Sequence, residues 1–148
     1  MDVRSARRWI WAALALQFLG YLFDVAWHGL AGPGGEPRTV SEMVRHLSTV
    51  HLPLYIGALA VLVTTLSALV RHGRAARGVA LPIAVAGAVV SAGAEAWHAA
   101  SHLDLDTHTA PIAGILSFVG FIVVVVAMAV SSRRRRGAGE ATNDRRAA

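Results

Sequence analysis

Gln17-Phe18-Leu19-Gly20-Tyr21-Leu22-Phe23-Asp24-Val25-Ala26-Trp27-His28 is the stretch whose reading decides the fold. It closes an apolar run from Arg8 to Leu30. A run of about 20 residues crosses a bilayer core of about 30 Å as a helix. Within it Gln17, Tyr21, Asp24 and His28 recur at helical steps and share one face. An ionisable side chain inside a membrane costs on the order of 3 kcal/mol, so this face must turn from lipid toward other helices. The stretch therefore predicts a membrane helix with a polar stripe, packed in a bundle.

Three further apolar segments have a similar length: Val50 to Val70, Gly78 to Ala100 and Ala110 to Val130. The expected architecture is all-α, an integral membrane four-helix bundle over residues 1–132, followed by a basic tail over 133–148 without fixed structure. Composition agrees, since 55% of the 148 residues are hydrophobic and the mean hydropathy is +0.51. The net charge of +5 lies at the ends of the apolar runs rather than in a nucleic-acid-binding patch. Arg4, Arg7 and Arg8 precede the first run, Arg71, Arg74 and Arg77 separate the second from the third, and Arg133 to Arg136 with Arg145 and Arg146 follow the fourth. Only Arg38 and Arg45 fall on the other side, so both termini are expected in the cytoplasm of a multi-pass cell-membrane protein. Asp24 and His28 inside the first run argue against reading it as a cleaved leader.

Trp9 and Trp11 fall where the inner aromatic belt is expected, and Trp27 and Trp97 where the outer belt is. The short link from Arg71 to Arg77 makes the second and third helices antiparallel neighbours. The outer connection from Ala31 to Thr49 opens with a Gly/Pro-rich breaker, and Ser41-Glu42 is expected to start a short surface helix. Trp27-His28, His51 and Gly57 are echoed by Trp97-His98, His108 and Gly114. That echo raises the reading of two repeated helical hairpins in one orientation.

Six of the seven histidines lie toward the outer side, with His72 alone on the inner side. Ser91, Glu95, His98 and His102 repeat on the third segment the steps of the stripe on the first. Two such stripes are expected to face each other in the bundle, and His51 and His108 close the ring from the other two helices. The candidate metal ligands are Asp24, His28, His51, Glu95, His98, His102 and His108. Imidazole with carboxylate suits copper, zinc or iron. Glu95-x-x-His98 matches the bundle di-iron pattern locally, whereas Asp24-x-x-x-His28 departs from it. His46, Asp104 and Asp106 are expected to be solvated, and Gln17, Tyr21 and Ser91 to make helix–helix hydrogen bonds. The paired acids and histidines can also be read as plain ion pairs within each helix. The absence of cysteine excludes disulfides, thiolate metal sites and cysteine nucleophiles. A phosphate loop and a serine-nucleophile motif are absent too.

Asp24-x-x-x-His28, a Gly/Glu loop holding Glu36, and His51-Leu52-Pro53-Leu54-Tyr55-Ile56-Gly57 together resemble a pattern in bacterial multi-pass membrane proteins without an assigned function. That resemblance implies a bacterial inner membrane. Asp24-x-x-x-His28 followed by a further histidine is also similar to the copper-binding region of the C subunit of membrane copper monooxygenases. The spacing from His28 to His46 or His51 departs from that subunit's pattern. The likeness implies copper among the metals and does not by itself imply an oxygenase. The leading reading is a small membrane metalloprotein with its site near the outer face, with redox or hydrolytic chemistry left open. The alternatives are a b-type haem carrier with histidines from facing helices, and a partner membrane subunit or proton-linked transporter component. A homo-oligomer is compatible with each.

Overall fold

The computed structural model describes residues 2–31, 37–72, 79–104 and 110–147, with backbone alone for 31, 110 and 134–147. The helices are α1 (Val3–Ala31), α2 (Val40–His46), α3 (Leu52–His72), α4 (Ala80–Leu103) and α5 (Ala110–Ala147). A π-helical turn over Leu47–His51 joins α2 to α3 without a break. Residues 3–30, 40–72, 80–103 and 111–133 are each long and apolar enough to cross a membrane. The all-α four-helix architecture expected from the sequence is the one observed.

Local chemistry sets the helix starts. The Asp2 carboxylate accepts the Ser5 N–H at 2.6 Å and caps α1. That bond, at the positive end of a helix, holds the Asp2 carboxyl below its ordinary range. α2 begins on a capping box: Thr39 Oγ1 accepts the Glu42 N–H at 3.3 Å, and Glu42 Oε2 accepts the Thr39 N–H at 3.2 Å. The short helix thus starts on Thr39, not Ser41. Residues 40–49, expected as a surface connection, are instead the first part of a continuous rod. Its 33 residues reach about 50 Å, more than a bilayer core needs, so one end must project past it. α5 likewise runs on through Arg133 to Ala147, where an unordered tail is the sequence expectation. Ala, Arg and Glu are good helix formers, and no proline interrupts them.

α3 packs against α1 and α4, and α4 against α5. Aromatic contacts bring α5 to α1: Phe18 stacks with Phe121 at 6.3 Å, and Tyr21 meets Phe118 edge-on at 5.4 Å. The end of α1, the start of α3 and the end of α4 meet at a histidine cluster. Ile10, Ala68, Leu81 and Met128 line a cavity at the other end. Neighbouring helices therefore alternate in direction.

Both hairpins cross on glycine. A Cβ on Gly20 would lie 2.5 Å from Leu54 Cα, and one on Gly57 would strike the Gln17 backbone as closely. In the second hairpin a Cβ on Gly120 would lie 2.6 Å from Ser91 N. Only glycine lets the backbones approach this far. These crossings pair Gln17 with Ser91 and Gly57 with Gly120, whereas the sequence echo pairs Gly57 with Gly114. Gly114 instead sits beside the His98 ring, where a Cβ would be 3.5 Å from Nδ1.

Three layers follow along the bundle. The arginine end is filled by apolar side chains, among them Ile10, Leu14, Val61, Ala84, Ala88, Phe121 and Val124. The middle holds a ring of polar groups. Gln17 Nε2 donates to Ser91 Oγ at 2.8 Å and to Tyr21 OH at 3.2 Å; Ser91 meets Ser117 at 3.1 Å, and Ser117 meets Tyr21 at 2.7 Å. The two stripes thus face each other across the bundle centre, as expected. Large apolar side chains such as Leu19, Val25, Leu59, Val70 and Ile115 point outward, the pattern of a lipid-facing surface.

Candidate metal centre

The third layer gathers five histidines among the described residues. Two come from the end of α4: His98 and His102 share a face one turn apart, and their Nε2 atoms lie 2.9 Å from each other. Two come from the rod before Pro53. In an α-helix residues five apart diverge by about 140°, since each residue turns about 100°. The π turn widens the helix, so that His46 and His51 project together, with Nε2 atoms 3.1 Å apart. Pro53 gives a reason for the distortion: its ring clashes with the carbonyl four residues back and it donates no N–H. Ser48 and Thr49 hydroxyls return hydrogen bonds to the Arg45 carbonyl at 3.0 and 2.8 Å, which helps to satisfy the widened turn. His28 comes from the end of α1, with its ring centre 5.4 Å from that of His46 and 5.8 Å from that of His51.

His51 is the hub. Its side chain is fully buried, and its ring lies 5.2 Å from both His98 and His102 and 4.8 Å from His46. Two groups of three have ligand atoms all within 4.8 Å of one another: His28, His46 and His51, and His51, His98 and His102. His51 belongs to both. A tetrahedral ion bound at about 2.0–2.1 Å separates its nitrogen ligands by about 3.3 Å, close to the Nε2 pairs seen here.

Asp24 is in neither group. Its Oδ1 approaches His51 Nδ1 at 3.1 Å and His28 Nε2 at 3.5 Å. Those contacts are close but lack hydrogen-bond alignment. The carboxylate therefore lies behind the rings, on the opposite nitrogen of His51 from His46. Carboxylates in that place orient ligating imidazoles and raise their basicity. Trp27 stands 6.1 Å from the His46 ring and half exposed, consistent with an interfacial anchor that also covers the site.

Glu95, expected as a ligand, is not brought into either group. It is 3% exposed and lines a small cavity of about 230 Å³ between α3 and α4 together with Tyr55. The Ser117 hydroxyl approaches its carboxyl without hydrogen-bond geometry, and that hydroxyl already meets Tyr21 and Ser91. Tyr55 stacks on His51 with ring centres 5.8 Å apart, and its hydroxyl has no hydrogen-bond partner among the described residues. The physical reason is depth: Glu95 sits a turn below His98 and turns to α3 rather than to the cluster.

Of the expected ligands, His28, His51, His98 and His102 stand in the two groups, which meet at His51. His108 and Asp106 lie outside the described residues, and Asp104 is exposed as expected. The sequence reading missed His46, assigned to a solvated connection and in fact 6% exposed inside the cluster. The signal was present as a His-x-x-x-x-His spacing just before a proline, behind Thr39-x-x-Glu42. Ser117, the fourth member of the polar ring, was missed as well; a single serine in an apolar run carries little pattern. Comparison of the chain with protein-family models, with curated proteins and with solved structures finds no match to any of them.

Proposed function

We propose that this protein holds a transition-metal ion in an imidazole cage at the histidine end of a membrane-spanning bundle. One observation carries the reading: two groups of three histidine nitrogens, each within 4.8 Å, share His51 and together draw on three helical rods. A buried cluster of neutral rings uses most of its hydrogen-bonding capacity poorly, because each neutral imidazole carries one donor and one acceptor. A cation accepted by several of them resolves that conflict. An all-nitrogen set favours zinc or copper over iron. The local likeness to the monooxygenase subunit adds weight to copper. Asp24 serves as the outer carboxylate that fixes His51. The ion faces the extracytoplasmic side, because the arginines cluster at the opposite end.

Haem fits this packing less well. Ring centres 4.5 to 5.2 Å apart around His51 and His98 fill the space that a macrocycle needs between its axial ligands.

The test is elemental analysis of the detergent-purified protein after exposure to zinc or copper, beside His51→Asn and His46→Asn. The wild type should retain about one ion per chain and His51→Asn should lose it, while circular dichroism stays helical. Equal metal in wild type and His51→Asn would overturn the proposal.

A further inference from the structure

The arginine end carries a second cavity that the metal reading does not use. It has a volume of about 360 Å³ and lies among the start of α1, the end of α3, the start of α4 and the end of α5. Arg4 and Arg7, one turn apart on the same face of α1, line it together with His72 and Ser131. Among the described residues no carboxylate lines it. The nearby Asp2 carboxylate is engaged on the Ser5 N–H. His72 Nε2 is buried and has no hydrogen-bond partner among the described residues. Ala80 and Leu81, the first residues of α4, complete the wall, and the residue before them, Val79, supplies no side-chain cap. Their backbone N–H groups belong to the first turn, which has no acceptors within the helix.

We propose that this cavity binds a phosphate group. Two guanidinium forks, a hydroxyl, an imidazole nitrogen without a partner among the described residues and the first turn of a helix whose Val79 cap offers no polar side chain all present donors to one anion. Arginine pairs with phosphate through two parallel hydrogen bonds, which fixes orientation as well as charge. The floor is apolar, with Ile10, Ala68 and Met128 beneath the polar mouth. Such a floor suits an ester carrying a glycerol or acyl portion as well as a bare ion. Two sources share this chemistry, the headgroup of an anionic phospholipid and free phosphate. Position favours the headgroup, since the exposed Trp9 and Trp11, on the same stretch of α1 as Arg7 and Ile10, mark the level of a membrane interface.

The experiment uses the full chain in detergent, with native mass spectrometry after exchange against mixed phosphatidylcholine and phosphatidylglycerol. A second arm titrates inorganic phosphate and reads phosphorus NMR line broadening. Wild type should retain phosphatidylglycerol over phosphatidylcholine, and the Arg4→Gln, Arg7→Gln double variant should lose about tenfold in that preference. An Arg38→Gln, Arg45→Gln variant removes equal charge at the far end and should keep it. His72→Gln, a milder change, should lower retention without altering helix content. Displacement of the lipid by inorganic phosphate, or phosphate binding alone, would identify the free ion as the ligand. Equal retention of both lipids with no phosphate broadening would overturn the proposal, and so would equal losses in the two double variants.

Discussion

At the scale of single residues, the chemistry of this protein rests on which nitrogen of His51 faces which neighbour. Nδ1 turns to Asp24 at 3.1 Å and Nε2 to His46 at 3.1 Å, so one ring links an acid to the cluster. On the proposed reading, Asp24→Asn keeps the shape and removes the charge. Metal affinity should then fall by about 10- to 100-fold, the usual cost of losing an outer carboxylate. Competition against a chromophoric chelator measures it, and an unchanged affinity would leave Asp24 with no part in the site. Glu95 shows the limit of spacing arguments. It shares a stripe with His98, yet the axial step between them is enough to place it in a different cavity, facing Tyr55 instead of the rings.

At the scale of elements, the π turn over Leu47–His51 is the device that joins two of the five histidines. It converts a five-residue spacing, which an α-helix spreads over different faces, into a pair of rings 3.1 Å apart. Inserting one alanine after Ser48, which is exposed, lengthens the spacing from His46 to His51 to six residues. At about 100° per residue the two side chains then stand about 120° apart, and His46 leaves the cluster. The expected result is loss of bound metal with the four-helix fold retained, read by elemental analysis beside circular dichroism. Retained metal would show that His46 is dispensable. The glycine crossings act at the same scale, bringing the backbones of α1 and α3, and of α4 and α5, into direct contact. The polar ring adds orientation more than stability, since a hydrogen bond between membrane helices is worth about 0.6 kcal/mol on average.

At the scale of the whole molecule, polarity is graded from one end to the other: an apolar plug, then a hydroxyl and amide ring, then the histidines. That gradient puts the proposed site at one end of the bundle. Orientation can be checked directly because the chain has no cysteine. With the arginine end inside, Ser132→Cys should resist a membrane-impermeant thiol reagent on intact cells, while Thr39→Cys should react. The opposite pattern would place the histidine end in the cytoplasm. The amino-acid order alone determined the four spans, their alternating direction, the facing stripes of α1 and α4 and four of the five clustered histidines, because these follow from helical period and the cost of polar groups in lipid. Only the tertiary structure decided that His46 joins the cluster and that Asp24 lies behind the rings. It also decided that Glu95 turns to its own cavity and that the hairpins cross in a register different from their sequence echo. The reason is that those outcomes depend on a non-α turn and on how deep each helix sits against its neighbours, and neither leaves a period in the chain.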